Sequence, residues 1–147
     1  MSPQEPDARL RAHRGREPAV KLHVRSTTLK GLGRASWDAA AEHPSALDYL
    51  LAAVATDLVS GLFEEAKALS LEDVELRLEA FLENPLVVAR VVGEEGSPRV
   101  AWIRGSLYVT GEDGVREAWQ RVLERSPVLA SLAPGTKIDI ELKEVRS

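Results

Sequence analysis

The stretch SALDYLLAAVATDLVSGLFEEAKAL, residues 45–69, decides the fold. Leu47, Leu50, Leu51, Val54, Leu58, Leu62 and Ala66 recur at spacings of three and four, the repeat of one face of an α-helix. Ser45 and Asp48 stand at capping-box spacing, with Pro44 just outside the helix. In that arrangement the hydroxyl receives a first-turn N–H and the carboxylate reaches back to the N–H of the cap. The helix is expected to run to about Leu69, roughly 25 residues and 37 Å. Its remaining faces are weakly polar, since Ala52, Ala53, Ala55, Thr56, Ser60 and Gly61 are small and admit a close neighbour. A helix covered nearly all round is a central one.

Outward from this helix the period changes. Val20, Leu22 and Val24 alternate with Lys21, His23 and Arg25, the pattern of a half-buried strand. A weaker strand is expected around Gly33–Ala39, after a turn at Gly31/Gly33, to complete a hairpin. On the C-terminal side Val74, Leu76, Leu78, Ala80 and Leu82 alternate with charged residues, leaving Phe81 on the polar face. Residues 86–92 fit a strand or a short helix. Ala101, Ile103, Gly105, Leu107 and Val109 share one strand face, and Trp102, Arg104, Ser106 and Tyr108 the other. Val115, Ala118, Trp119, Val122 and Leu123 form a second helical stripe, ended at Ser126-Pro127 because a residue before proline is pushed out of the helical region. Ile138, Ile140, Leu142 and Val145 close the chain as a strand. The order strand, strand, long helix, strand, strand, helix, strand predicts an α+β fold, with sequential strands antiparallel and both helices on a sheet face.

The chain has 147 residues, 44% hydrophobic and 29% charged, the mix of a soluble globular domain. It has no cysteine, which excludes disulfides, Cys-ligated metals and thiol catalysis. Residues 1–34 hold 8 Lys/Arg against 3 Asp/Glu, and the remainder 11 against 20, a basic start on an acidic body. An acidic body argues against nucleic acid as the main partner. The apolar runs fall short of the roughly 20 residues of a membrane span, and no signal peptide is apparent, so a cytoplasmic protein without membrane attachment is expected. Residues 1–17, with Pro3, Pro6 and Gly15 among Arg9, Arg11, Arg14 and Arg16, are expected to be a flexible basic arm on a domain of residues 18–147. Such a charge run reads either as a nucleic-acid or partner contact or as a solvated tail, and the tail is preferred. No cofactor is expected: Gly31-Leu-Gly33 is too short for a phosphate loop, and His13, His23 and His43 lack metal-ligand spacing. No Gly-x-Ser-x-Gly elbow supports a hydrolase triad. Trp37, Trp102 and Trp119 are read as packing residues rather than cavity walls.

Ala46-Leu-Asp-Tyr-Leu-Leu-Ala-Ala-Val-Ala-Thr-Asp-Leu58 and Ser126-Pro-Val-Leu-Ala-Ser-Leu132 are similar to two motifs of the OsmC/Ohr family, osmotically inducible protein C and organic hydroperoxide resistance protein. The order of elements over residues 19–145 agrees as well. The resemblance implies an intertwined homodimer, with long helices at its centre and sites at the subunit interface. Active members of the family reduce organic hydroperoxides with two cysteines. One attacks as a thiolate and becomes a sulfenic acid, and the other resolves it as a disulfide. The cysteine positions correspond here to Asp57 and Ser126, and neither oxygen side chain has a comparable reversible oxidation ladder. The resemblance thus implies relationship to the oxidative-stress family without thiol peroxidase activity.

The family's acidic residue near the start of the helix corresponds to Asp48, which the capping box already explains. Its peroxide-binding arginine points to Arg34, with Arg25 the alternative. A carboxylate beside an interface pocket needs a partner to offset its burial, and an Asp57–Arg34 site for a small, partly apolar ligand is weighed against a structural ion pair of Asp57 or a solvated edge position, which is preferred. A structural helix-end role is likewise preferred for Ser126. A different enzyme using Asp57 as acid/base, or a structural or regulatory subunit, stays open.

Overall fold

In the computed structural model, which describes residues 5–111 and 113–145, the chain forms two compact units that divide between Tyr49 and Leu50, inside the long helix. The N-terminal unit is built on a three-stranded antiparallel sheet of β1 (Arg11–His13), β2 (Val20–Val24) and β3 (Thr27–Gly31), in that order. β2 lies where its alternation placed it. Its hairpin partner does not occupy Gly33–Ala39. The chain turns at Arg25-Ser26, where Arg25 takes a left-handed φ of 54°, and the β-branched Thr27 and Thr28 open β3. Gly33, at φ 78°, stands beyond its end. β1 falls inside the segment expected to be a loose arm, yet Arg11, Ala12 and His13 pair with His23, Leu22 and Lys21. Backbone hydrogen bonds order a stretch with little apolar surface to bury, and hydropathy does not report them.

The long helix α1 spans Ala46–Glu65. Its capping box forms as expected: the Ser45 N–H donates to Asp48 Oδ2 at 2.8 Å, and the Asp48 N–H donates to Ser45 Oγ at 3.3 Å. The carbonyls of Gly33 and Arg34 accept the N–H groups of Ala46 and Leu47 at 2.9 and 3.0 Å, so the opening donors of the helix are satisfied from the preceding loop. The helix stops at Glu65 rather than near Leu69. There the Leu69 N–H closes a tight turn on the Ala66 carbonyl at 2.9 Å, and Leu69 and Leu71 swing onto the core instead of continuing the helix axis.

The C-terminal unit continues with β4 (Asp73–Leu82), α2 (Pro85–Val88), β5 (Val100–Thr110), α3 (Val115–Arg125), α4 (Pro127–Leu132) and β6 (Lys137–Val145). Its sheet has the order β4-β5-β6. β4 and β5 are antiparallel, but β5 and β6 are parallel, contrary to the expectation for sequential strands. The segment between them carries α3 and α4, a crossover long enough to return the chain to the same end of the sheet. The open stretch 86–92 begins as the short helix α2 and turns after Val88.

The core joins Val54, Leu58 and Leu62 of α1 to Ile103, Leu107 and Val109 of β5, to Val115, Ala118, Trp119 and Val122 of α3, and to Leu129 of α4. Each large side chain removed from water there contributes about 1.5–3 kcal/mol. β4 and β5 approach so closely at Gly105 that an added Cβ would lie 2.0 Å from the Arg77 carbonyl oxygen. Of the three tryptophans, Trp119 is core; Trp102 stacks on Phe81 at 5.1 Å on the polar sheet face, and Trp37 is 64% exposed instead of packed.

α1 is not covered all round in the single chain. Ala52, Ala53, Thr56, Ser60 and Phe63 face water. The helix is also long and apolar enough to cross a membrane by composition, with a mean hydropathy of 1.5 over its most apolar window, which corrects the reading of short apolar runs. Counting uninterrupted apolar residues stops at Asp48 and at Thr56-Asp57, whereas the average over the helix stays apolar across them.

Candidate functional site

Ser126 sits at the junction of α3 and α4 because Pro127 follows it. With φ −69° and ψ 118° it leaves the helical region, ends α3, and becomes the N-cap of a second helix whose first position is Pro127. Its Oγ accepts the Leu129 N–H at 3.0 Å. The reading of Ser126-Pro127 as a helix stop was therefore half of its role. The other half, the start of α4, carried the same hydroxyl-then-proline signal.

The Ser126 hydroxyl hydrogen goes to Oδ2 of Asp57, one turn along α1 from Val54. Residues 69 apart in sequence thus meet side chain to side chain. Ser126 is buried and Asp57 half-buried. The serine's donor and one of its acceptor directions are both engaged, so the pair is a hydrogen-bonded latch between α1 and the α3–α4 junction. The partner that offsets the burial of Asp57 is Ser126.

Beside the latch lies a cleft of about 150 Å³, walled by Ser60, Gly61 and Glu64 of α1 and by Val122, Arg125 and Pro127. Gly61 leaves room there, since a Cβ would stand 3.2 Å from Val122 Cγ1. At the cleft's edge Glu65 binds Arg121 Nε at 3.0 Å and Arg125 Nη1 at 2.8 Å. Arg121 also donates to the Glu65 carbonyl at 3.3 Å, satisfying an acceptor at the C-terminal end of α1. Arg121, and after it Arg125, holds the Glu65 carboxyl below its ordinary value. Sequence reasoning passed over this triad. Its only linear trace is the four-residue spacing of the two arginines on one face of α3, which does not identify a carboxylate on another helix.

The other candidate site residues belong to the N-terminal unit. Asp48 is committed to the capping box, also accepting the Ser45 hydroxyl at 3.0 Å. Arg34 is exposed, and its backbone carbonyl serves the start of α1. Arg25 occupies the β2–β3 turn. Trp37, Glu42 and His43 line a separate shallow hollow with Asp48.

No protein-family model and no curated protein matches the sequence. Among solved structures, a crystal structure of an OsmC-like protein from Mycoplasma pneumoniae superposes with a TM-score of 0.77 at 14% identity, covering 97% of this chain and 99% of that one. An organic hydroperoxide resistance protein OsmC from Legionella pneumophila gives 0.67 at 16% identity, over 94% and 97% of the two chains. The organic hydroperoxide resistance protein OhrB of Bacillus subtilis gives 0.58 at 15%, over 92% and 97%. The likeness spans nearly the whole of each chain, and it is a likeness of fold.

Proposed function

Because the chain has the OsmC-like fold, we propose that it is a homodimeric relative of the OsmC/Ohr proteins that has no thiol peroxidase activity and keeps the cleft beside Asp57 and Ser126 for a small, partly apolar ligand. The observation that carries this reading is the latch itself, a carboxylate and a hydroxyl hydrogen-bonded at the positions corresponding to the family's two cysteines. Reduction of a hydroperoxide needs a group that surrenders two electrons to the peroxide oxygen and is restored afterwards. Sulfur does this; carboxylate and alcohol oxygens do not. The latch can bind and orient through hydrogen bonds, with Gly61, Val122 and Pro127 supplying apolar surface and Ser60 and Glu64 polar anchors.

Two uncovered apolar surfaces support the homodimer. One is the free face of α1, with Ala52, Ala53 and Phe63 in water. The other is the apolar face of β1-β2-β3, where Val20, Leu22 and Val24 are only half-buried. Small residues on α1 favour close approach by another protein chain. Asp57 within the same helix disfavours lipid, where a carboxylate is costly, and this favours a soluble protein.

The test is to mix the purified protein with an organic hydroperoxide and a dithiol reductant. Hydroperoxide is expected to disappear no faster than in buffer, and turnover that Asp57→Ala abolishes would overturn the reading. Sedimentation at micromolar concentration is expected to give a dimer; a monomer there removes the homodimer from it.

A further inference from the structure

The pairing register of the N-terminal sheet sorts its side chains. In antiparallel strands directly paired residues share a face, as do residues two apart. Arg11, His23 and Thr28 form one row across the sheet, and His13, Lys21 and Lys30 the next. Both rows lie on the same face, which holds no carboxylate, while Ala12, Leu22 and Leu29 form a row on the opposite, apolar face. Thr28 Oγ1 lies 3.3 Å from His23 Nδ1, within the first row. Arg11, His13, Lys21, Thr28 and Lys30 are exposed. The connection from β1 to β2 adds Arg14 and Arg16, with Glu17 the one acid beside them.

Fold stability does not explain this arrangement. Lys21 stands directly opposite Lys30, and like charges so placed are destabilising. The polar face of the C-terminal sheet is built differently. There Arg104 meets Glu79 on the neighbouring strand at 3.4 Å, and Arg77 meets Glu75 at 3.0 Å. One sheet neutralises its polar face and the other concentrates positive charge on it.

We propose that this basic face binds the phosphate backbone of double-stranded nucleic acid without regard to sequence. Phosphate contacts ask for Arg, Lys and hydroxyl donors, which are the groups displayed. The face carries no Phe, Tyr or Trp ring, the broad platforms on which successive bases stack, and this disfavours single strands. It carries no apolar side chain to insert between headgroups, which disfavours a lipid surface. The chain's net charge of −4 conceals the site, because the acids reside in the other residues. The inference is independent of the ligand reading for the Asp57–Ser126 cleft.

A fluorescent duplex of about 20 base pairs, titrated with the full chain and followed by anisotropy, tests it. With Arg11, Lys21 and Lys30 each neutralising a phosphate, affinity should fall about 40-fold between 50 and 200 mM salt. Lys21→Glu/Lys30→Glu, at two exposed positions, should weaken binding more than tenfold at low salt while the circular dichroism melt stays cooperative. Should that variant misfold, Lys21→Gln/Lys30→Gln should reduce the salt dependence by about two phosphates' worth. No anisotropy change at low salt overturns the proposal. So does undiminished binding by both variants, or binding to phosphatidylserine vesicles without binding to the duplex.

Discussion

In the C-terminal unit the apolar face of β4-β5-β6 is roofed by helices, and Leu58, Ile103 and Leu107 are fully buried. In the N-terminal unit the corresponding face of β1-β2-β3 leaves Leu22 half-buried and Leu29 39% exposed. Both sheets alternate apolar and polar residues, so alternation alone does not decide whether a face is buried. What differs is the supply of covering elements within the chain. The larger unit carries its own core, whereas the smaller one leaves its apolar face only partly covered.

The contrast is most exposed to test at the largest side chain. Trp119→Ala, which empties the centre of the C-terminal core, should cost about 3–5 kcal/mol in denaturant unfolding. Leu22→Ala in the N-terminal sheet should cost less than half of that, and equal losses would break the comparison. Backbone approach gives a second handle. Gly105→Ala, with its Cβ driven against the Arg77 carbonyl, should cost about 1–3 kcal/mol and speed amide exchange along β4 and β5. Gly15→Ala, whose nearest neighbour atom is 3.9 Å away, should stay within about 0.5 kcal/mol of the parent.

The two capping serines extend the comparison to smaller effects. Ser45→Ala should cost about 1 kcal/mol. Ser126→Ala should cost about 2 kcal/mol, because it removes a cap and also leaves the Asp57 carboxylate without its hydroxyl partner. Equal melting shifts would mean that the latch adds nothing beyond capping. The smallest effect is in acid. The Glu65 carboxyl is held below 4.5, so its pairing stabilises the fold fully above that value and is lost as pH falls through the lower folded-state value. Stability should decline over that acidic window, and Glu65→Gln should flatten that part of the decline in a pH series of melts. Among the described residues the N-terminal unit holds no such ion pair.

Much of this architecture was legible in the order of residues. The three-and-four spacing from Leu47 onward, the Ser45–Asp48 box and the alternation in β2, β4 and β5 each act within a few positions, and each formed. β3 was misplaced because glycines at 31 and 33 resemble a turn, while the actual turn uses Arg25 in a left-handed conformation that its residue type disfavours. β1 was missed because its order comes from backbone pairing with β2. The parallel seating of β6 depends on how α3 and α4 pack, not on the sequence of β6 itself.

The candidate site divides in the same way. Its two residues were singled out by position within motifs, and the resemblance already implied that they lie near one another; the hydrogen bond from Ser126 to Asp57 was not visible, nor was the Glu65 triad at the cleft edge.

Local period and capping chemistry, set by neighbours along the chain, marked out α1, β2, β4 and β5, and composition alone excluded cysteine chemistry. Tertiary structure alone decided that the Ser126 hydroxyl donates to the Asp57 carboxylate, that β6 runs parallel to β5, and that scattered cations gather on one sheet face. These outcomes come from pairing register and core burial between residues far apart in sequence, and those energies exist only once the chain has folded.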